Sequence, residues 1–171
     1  MQTRRVIVLP YDDSWQSEYE KIKREIEDAI GSLTVGIEHI GSTAVEGMSA
    51  KPCIDIDVII EDYSVFDKVR EGLGAIGYMH EGDLGIKERE AFAYSGKEHL
   101  MKHHLYVCPR GSAELARHLT FRDYLRQNAS AVREYSRTKE RGAELYPTDI
   151  DKYIEYKTPC IKKLYSECGL E

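Results

Sequence analysis

The chain has no CxxC pair and no cysteines at metal-finger spacing. Cys53, Cys108, Cys160 and Cys168 are scattered along 171 residues, which argues against a disulfide framework or a zinc module and suits the reduced thiols of a cytosolic protein. It also lacks a basic excess: 24 Lys and Arg stand against 30 Asp and Glu, a formal net charge of -6. That balance argues against a general nucleic-acid binder, which presents a basic patch or stripe. No apolar run approaches membrane-spanning length, and the run at residues 6–9, closed by Pro10, is too short for a signal-peptide core. Repeats and low-complexity tracts are missing too. The expectation is a soluble, cytoplasmic protein with small-molecule partners, not a membrane or a large polyanion.

What is present suits one compact domain. With 42% hydrophobic residues the chain can bury a core, and it would be small for two domains. Asp12, Asp13 and Ser14 offer caps before an amphipathic helix with apolar positions at Trp15, Tyr19, Ile22, Ile26 and Ile30, ending near Gly31. Asp62 and Ser64 can cap a second helix through Val65, Val69, Leu73 and Ile76, stopped at Gly77. A short strand is expected at 78–80, a mobile polar loop at 81–85, and a hairpin of strands 89–94 and 101–108. From Ser112 the period changes to about 3.6 and predicts helices over 112–127, 129–144 and 148–168. The last has Ile150, Ile154, Ile161 and Leu164 on one side, and Pro159 should bend or divide it. The order gives an α+β plan: a mixed sheet with flanking helices over about residues 1–110, and a helical C-terminal part over about 111–171.

The informative stretch is residues 36–60, GIEHIGSTAVEGMSAKPCIDIDVII. It reads as a strand finished by His39 and Ile40, a turn opening at Gly41-Ser42, a short link, and a second strand. Side chains alternate along a strand, so Ile54, Ile56 and Val58 share one face while Asp55 and Asp57 project together from the other. Paired carboxylates suit Mg²⁺ or Mn²⁺, whose shells are commonly completed by substrate phosphates. Gly41 permits a tight turn or close approach, and Ser42 could cap a helical turn whose free N–H groups face an anion. Together these parts would hold a nucleoside triphosphate between backbone donors and metal.

HIGSTAVEGMSAKPCIDIDV, with HHLYV and HLTFRDYLR further on, resembles the GrpB family of bacterial proteins, over about residues 11–161. The resemblance implies a nucleotidyltransferase-like mixed sheet, with Gly41-Ser42 at the superfamily's Gly-Ser motif and Asp55 and Asp57 at its metal-binding carboxylates. Some relatives are fused to a dephospho-CoA kinase domain, which hints at nucleotide metabolism and names no substrate.

One departure stands out. Active nucleotidyltransferases usually carry a third carboxylate on a neighbouring strand, and the segment 102–107 has no acid. His104 shares a face with Tyr106 and could serve as metal ligand or general base; Glu90 and Glu98 are weaker substitutes. Lys51, Arg89, Arg122 and Lys157 are the candidate phosphate partners, although Arg122 adjoins Asp123. Tyr106 and Phe92 could stack on a base. The expected activity is metal-dependent transfer of a nucleotidyl group from an NTP to a small-molecule acceptor. The alternatives are a non-catalytic nucleotide-binding or regulatory module and a metal-dependent hydrolase or phosphotransferase.

Overall fold

The computed structural model describes residues 5–170, and residues 1–4, on which part of the leader-peptide reading rests, lie outside them. Helix α1 (Ser14–Ile30) forms where expected and buries Trp15, Tyr19, Ile22, Ile26 and Ile30. At its start the Asp12 carboxylate accepts from the Ser14 N–H at 2.8 Å, while Asp13 makes no cap bond. Strand β1 (Gly36–Ile40) follows, then a 3-10 turn (Ser42–Ala44) and β2 (Ile54–Ile60). After α2 (Phe66–Ala75) come β3 (Tyr78–Gly82), β4 (Glu90–Tyr94) and β5 (His103–Pro109). The expected loop at 81–85 therefore begins as strand.

The sheet order is β1-β2-β5-β4-β3. The central β2–β5 pair is parallel, and β1–β2, β4–β5 and β3–β4 are antiparallel. Ile54, Ile56 and Val58 are fully buried with Leu105 and Val107 against α1 and α2. This apolar core sets the register, because a slip of one residue would drive the aspartates into it.

Three helices complete the chain: α3 (Ala113–Arg126), α4 (Ala129–Leu145) and α5 (Ile150–Glu167). Ser112 caps α3, its hydroxyl accepting from the Leu115 N–H. These helices form a second cluster, in which Leu125, Val132, Tyr135 and Leu164 pack on Val45 and Met48 of the link between β1 and β2. Two expectations for α5 change. Pro159 does not divide it, since the proline and Glu155 four residues earlier are both exposed and water can take the freed carbonyl. Ile150 and Ile154 are 39% and 45% exposed, and Tyr153 is buried in their place. No described helix is long and apolar enough to cross a membrane.

Candidate functional site

The polar face of the sheet is assembled by register. Asp55 pairs with Ile40 and His104, and Asp57 pairs with Glu38 and Tyr106, so five polar or aromatic groups share the face opposite the core. Asp55 is partly open, and its Oδ1 lies 2.9 Å from His104 Nδ1. That bond, with one to Cys53, pushes His104 up to about 10.

Gly41 fixes the other side of Asp55. Its φ of +75° and ψ of -174° lie in a region essentially reserved for glycine, and a Cβ there would stand 2.5 Å from Asp55 Oδ2. Gly41→Ala is therefore expected to lower stability by about 1–3 kcal/mol and to displace the carboxylate, read by thermal melting. Gly74→Ala, in helix α2 with open space around it, is expected to be neutral or stabilising.

Asp57 has a different environment from its neighbour. It is fully buried, with Oδ2 2.6 Å from His118 Nδ1, while His118 Nε2 lies 3.2 Å from Glu114 Oε1. Burial raises the Asp57 pKa against the pull of His118. Burial alone would lower His118, but the Asp57 bond outweighs it and the net shift is upward. One helical turn on, Arg122 reaches Glu38 at 2.6 Å, Asp123 at 2.9 Å and the His39 carbonyl at 3.0 Å. Helix α3 thus lies on the polar face through two residues four apart, each paired with an acid of a different strand.

The Gly-Ser turn also differs from expectation. The N-cap position of the turn falls to Gly41 and not to Ser42, and the Ser42 hydroxyl lies 2.8 Å from Lys139 Nζ. Lys139 is 3% exposed and sits over the Tyr135 ring. Burial, and then Lys157, bring its amine down to about 7. Lys51 and Lys157 approach the Tyr153 ring to 5.1 and 5.0 Å. Gly142, where a Cβ would meet Tyr153 at 3.0 Å, makes room for that ring. The three lysines, Ser42, Asp55, His104 and Cys53 line one cavity of about 150 Å³. A neighbouring cavity of about 310 Å³ is lined by Gly41, Ser42, Asp55, Arg89, Tyr106, His118, Arg122 and Lys157 among others.

The expected site residues are thus brought together, apart from Asp57, which is sealed beneath α3. Arg89 lies over the Tyr106 ring at 4.4 Å. Phe92 belongs to the apolar core, and Glu90 bonds His80 on that same face; neither reaches the aspartates. Glu98 is in the exposed turn between β4 and β5. His39 stacks on Tyr19, bonds Thr43 and is lowered to about 4 by burial, the state of a structural histidine. Sequence reasoning missed Lys139, His118, Glu38, Tyr153 and the placement of Cys53. A signal existed for two of them. Lys139 interrupts a buried stripe of Val132, Tyr135, Ser136 and Gly142, and Glu114, His118 and Arg122 recur at intervals of four.

The profile of the family described as GrpB protein matches residues 5–167. The chain belongs to the GrpB family. The glutamate-rich protein GrpB of Alkalihalophilus pseudofirmus is 34% identical over 165 residues, covering 95% of each chain. The UPF0157 protein YqkA of Bacillus subtilis is 32% identical over 159 residues, 93% of this chain but only 46% of YqkA. The crystal structure of GrpB from Enterococcus faecalis superposes with a TM-score of 0.82 at 32% identity, covering 95% of this chain and 96% of that one. The Cid1 poly(U) polymerase with bound MgGTP superposes with a TM-score of 0.55 at 10% identity, covering 77% of this chain and 42% of Cid1. This GrpB protein therefore has a nucleotidyltransferase-like fold.

Proposed function

We propose that this GrpB protein holds a nucleoside triphosphate in the cleft and transfers its nucleotidyl group to a small-molecule acceptor, the whole chain acting as one unit. The observation that carries the reading is the convergence of Ser42, Lys51, Lys139 and Lys157 beside Asp55. Three amines, of which Lys139 is buried, and a hydroxyl suit a polyphosphate, which partners them through charge-assisted hydrogen bonds. Gly41 would let the backbone approach the phosphates. Arg89 lines the same cleft, and its buried Nε has no hydrogen-bond partner among the described residues; it is assigned to the substrate, with Tyr106 as a stacking face. Arg122, engaged with Glu38 and Asp123, is assigned to holding α3 and not to phosphate.

The carboxylates fit a hard cation in one respect: buried Asp57 Oδ1 also lacks a partner among the described residues, and a cation shared with Asp55 would satisfy it. When bound, Mg²⁺ or Mn²⁺ would neutralise phosphate charge and polarise the phosphoryl oxygens. The chain's own groups orient the triphosphate so that an acceptor oxygen or nitrogen attacks the α-phosphorus, pyrophosphate leaves, and the acceptor's proton is lost. His104, pushed up to about 10, is protonated at neutral pH. It is therefore a charge partner for Asp55 there and not a general base.

A second reading, a nucleotide-binding module without turnover, is favoured by the sealing of Asp57 under His118 and by the lack of an acid on β5. Incubation with the four NTPs, Mg²⁺ or Mn²⁺ and pooled small-molecule acceptors separates the two. Pyrophosphate release that falls about a hundredfold or more in Asp55→Asn is the expected outcome. Metal-dependent nucleotide binding with no release favours the module. Release that survives Asp55→Asn refutes the site, and phosphate without pyrophosphate points to a hydrolase or phosphotransferase.

A further inference from the structure

Cys53, Asp55 and His104 present one sulfur, one carboxylate oxygen and one ring nitrogen, all within 4.8 Å of one another. The three come from the sheet's two central strands and the residue just before β2, so the parallel register that pairs Asp55 with His104 also delivers the thiol. They line the same cavity of about 150 Å³. Besides a 4.0 Å contact with the Ile54 carbonyl, the thiol is engaged only with His104, its neighbour in the cluster. Asp55 is held between His104 and Gly41, so the donors are gathered before any cation arrives.

We propose that these three side chains form a binding site for a borderline transition-metal cation of the Zn²⁺ class, with a fourth coordination position open toward the cavity. The donor set decides the class. Mg²⁺ takes oxygen ligands in a near-octahedral shell, whereas thiolate and imidazole select zinc-like ions. Three protein ligands with an open position are the pattern of catalytic zinc sites, not structural ones. Bonds of about 2.0–2.3 Å place tetrahedral ligand atoms roughly 3.3–3.8 Å apart, so adjustment of the side chains by about an ångström closes the shell. The Asp55–His104 hydrogen bond gives way on binding, and the thiol and imidazolium protons leave to solvent.

The neighbouring lysines do not forbid a cation. Lys51, Lys139 and Lys157 line the same cavity, and a phosphate oxygen in the open position would answer both the metal and the amines. This site is separate from the Asp55–Asp57 cation of the proposed function, although it shares Asp55, and it does not depend on nucleotidyl transfer.

The test uses the full chain, reduced and freed of metal, in the absence of nucleotide. Titration with Co²⁺ is expected to give a near-ultraviolet thiolate-to-cobalt charge-transfer band that saturates at one equivalent. One equivalent of Zn²⁺ should abolish it, and Mg²⁺ in large excess should not. Cys53→Ser is expected to remove the band and weaken Zn²⁺ binding by more than about tenfold, a loss already reached when only an outer-shell partner is removed. The triple replacement of Cys108, Cys160 and Cys168 by serine should keep it. X-ray absorption of the zinc-loaded wild-type chain, which needs no variant to fold, is expected to show one sulfur neighbour at about 2.3 Å. Absence of the charge-transfer band, its persistence in Cys53→Ser, displacement by Mg²⁺, or a zinc shell without sulfur would each overturn the proposal. None of these outcomes bears on pyrophosphate release, so the two readings fail separately.

Discussion

Lys139→Met is expected to weaken nucleoside triphosphate binding by about 10- to 100-fold while leaving the protein as stable as before, or more so. The two effects have opposite origins. Lys139 is 3% exposed and its hydrogen-bond partner is the Ser42 hydroxyl, so an unbound cleft holds an amine whose charge is disfavoured by burial. Methionine fills similar volume without that cost. A bound polyphosphate loses a charge-assisted hydrogen bond, worth about 1.5–3 kcal/mol. The pH dependence gives the sign independently. Folded Lys139 holds its proton only below about 7, whereas an unfolded lysine holds it to about 10.4. Between these values the unfolded chain binds more protons, so stability attributable to this residue rises with pH across the window, and the full cost is present below it. Denaturant titrations at pH 6.5 and 9.5 should show that rise in the wild type and a smaller one in Lys139→Met. Triphosphate binding near pH 8 should also take up about one proton as the amine is recharged. Calorimetry in buffers of different ionisation heat measures that uptake, and its absence would detach Lys139 from the phosphate.

Arg122→Met should give the largest loss of stability among the cleft residues. Arg122 is 9% exposed and bridges Glu38, Asp123 and the His39 carbonyl, so its removal strands a strand-β1 carboxylate beneath α3. Breaking a buried pair costs about 3–5 kcal/mol. Glu38 keeps 39% exposure and can be partly rehydrated, which brings the expectation to about 2–3 kcal/mol and a melting drop of roughly 4–12 °C. Arg117→Met, on the same helix but 43% exposed and 3.6 Å from Glu114, should change stability by less than about 0.5 kcal/mol. A double-mutant cycle with Glu38→Gln isolates the pair. Equal losses for Arg122→Met and Arg117→Met would contradict the placement of α3.

Much of the fold was legible because its signals are local. The Trp15 to Ile30 spacing, the change of period at Ser112, and the alternation of isoleucine with aspartate in β2 each report their element within a few residues, and all three appear as read. The errors have equally physical causes. The period of α5 marks Ile150 and Ile154 as buried, but burial depends on what packs against a helix, and Tyr153 takes that side. Phe92 and Tyr106 are both strand aromatics, and only register separates core from cleft.

The candidate site divides along the same line. Sequence alone determined the Gly41-Ser42 turn and the Asp55/Asp57 strand, because close backbone approach and side-chain alternation are properties of neighbouring residues. Tertiary structure alone decided that Asp55 is open while Asp57 is sealed by His118, that Ser42 faces Lys139 from 97 residues away, and that Cys53 stands beside His104. These relations come from the β2–β5 pairing and from the packing of α3 and α4 across the cleft. Burial and charge partners are set by groups distant in the chain, so no local spacing records them.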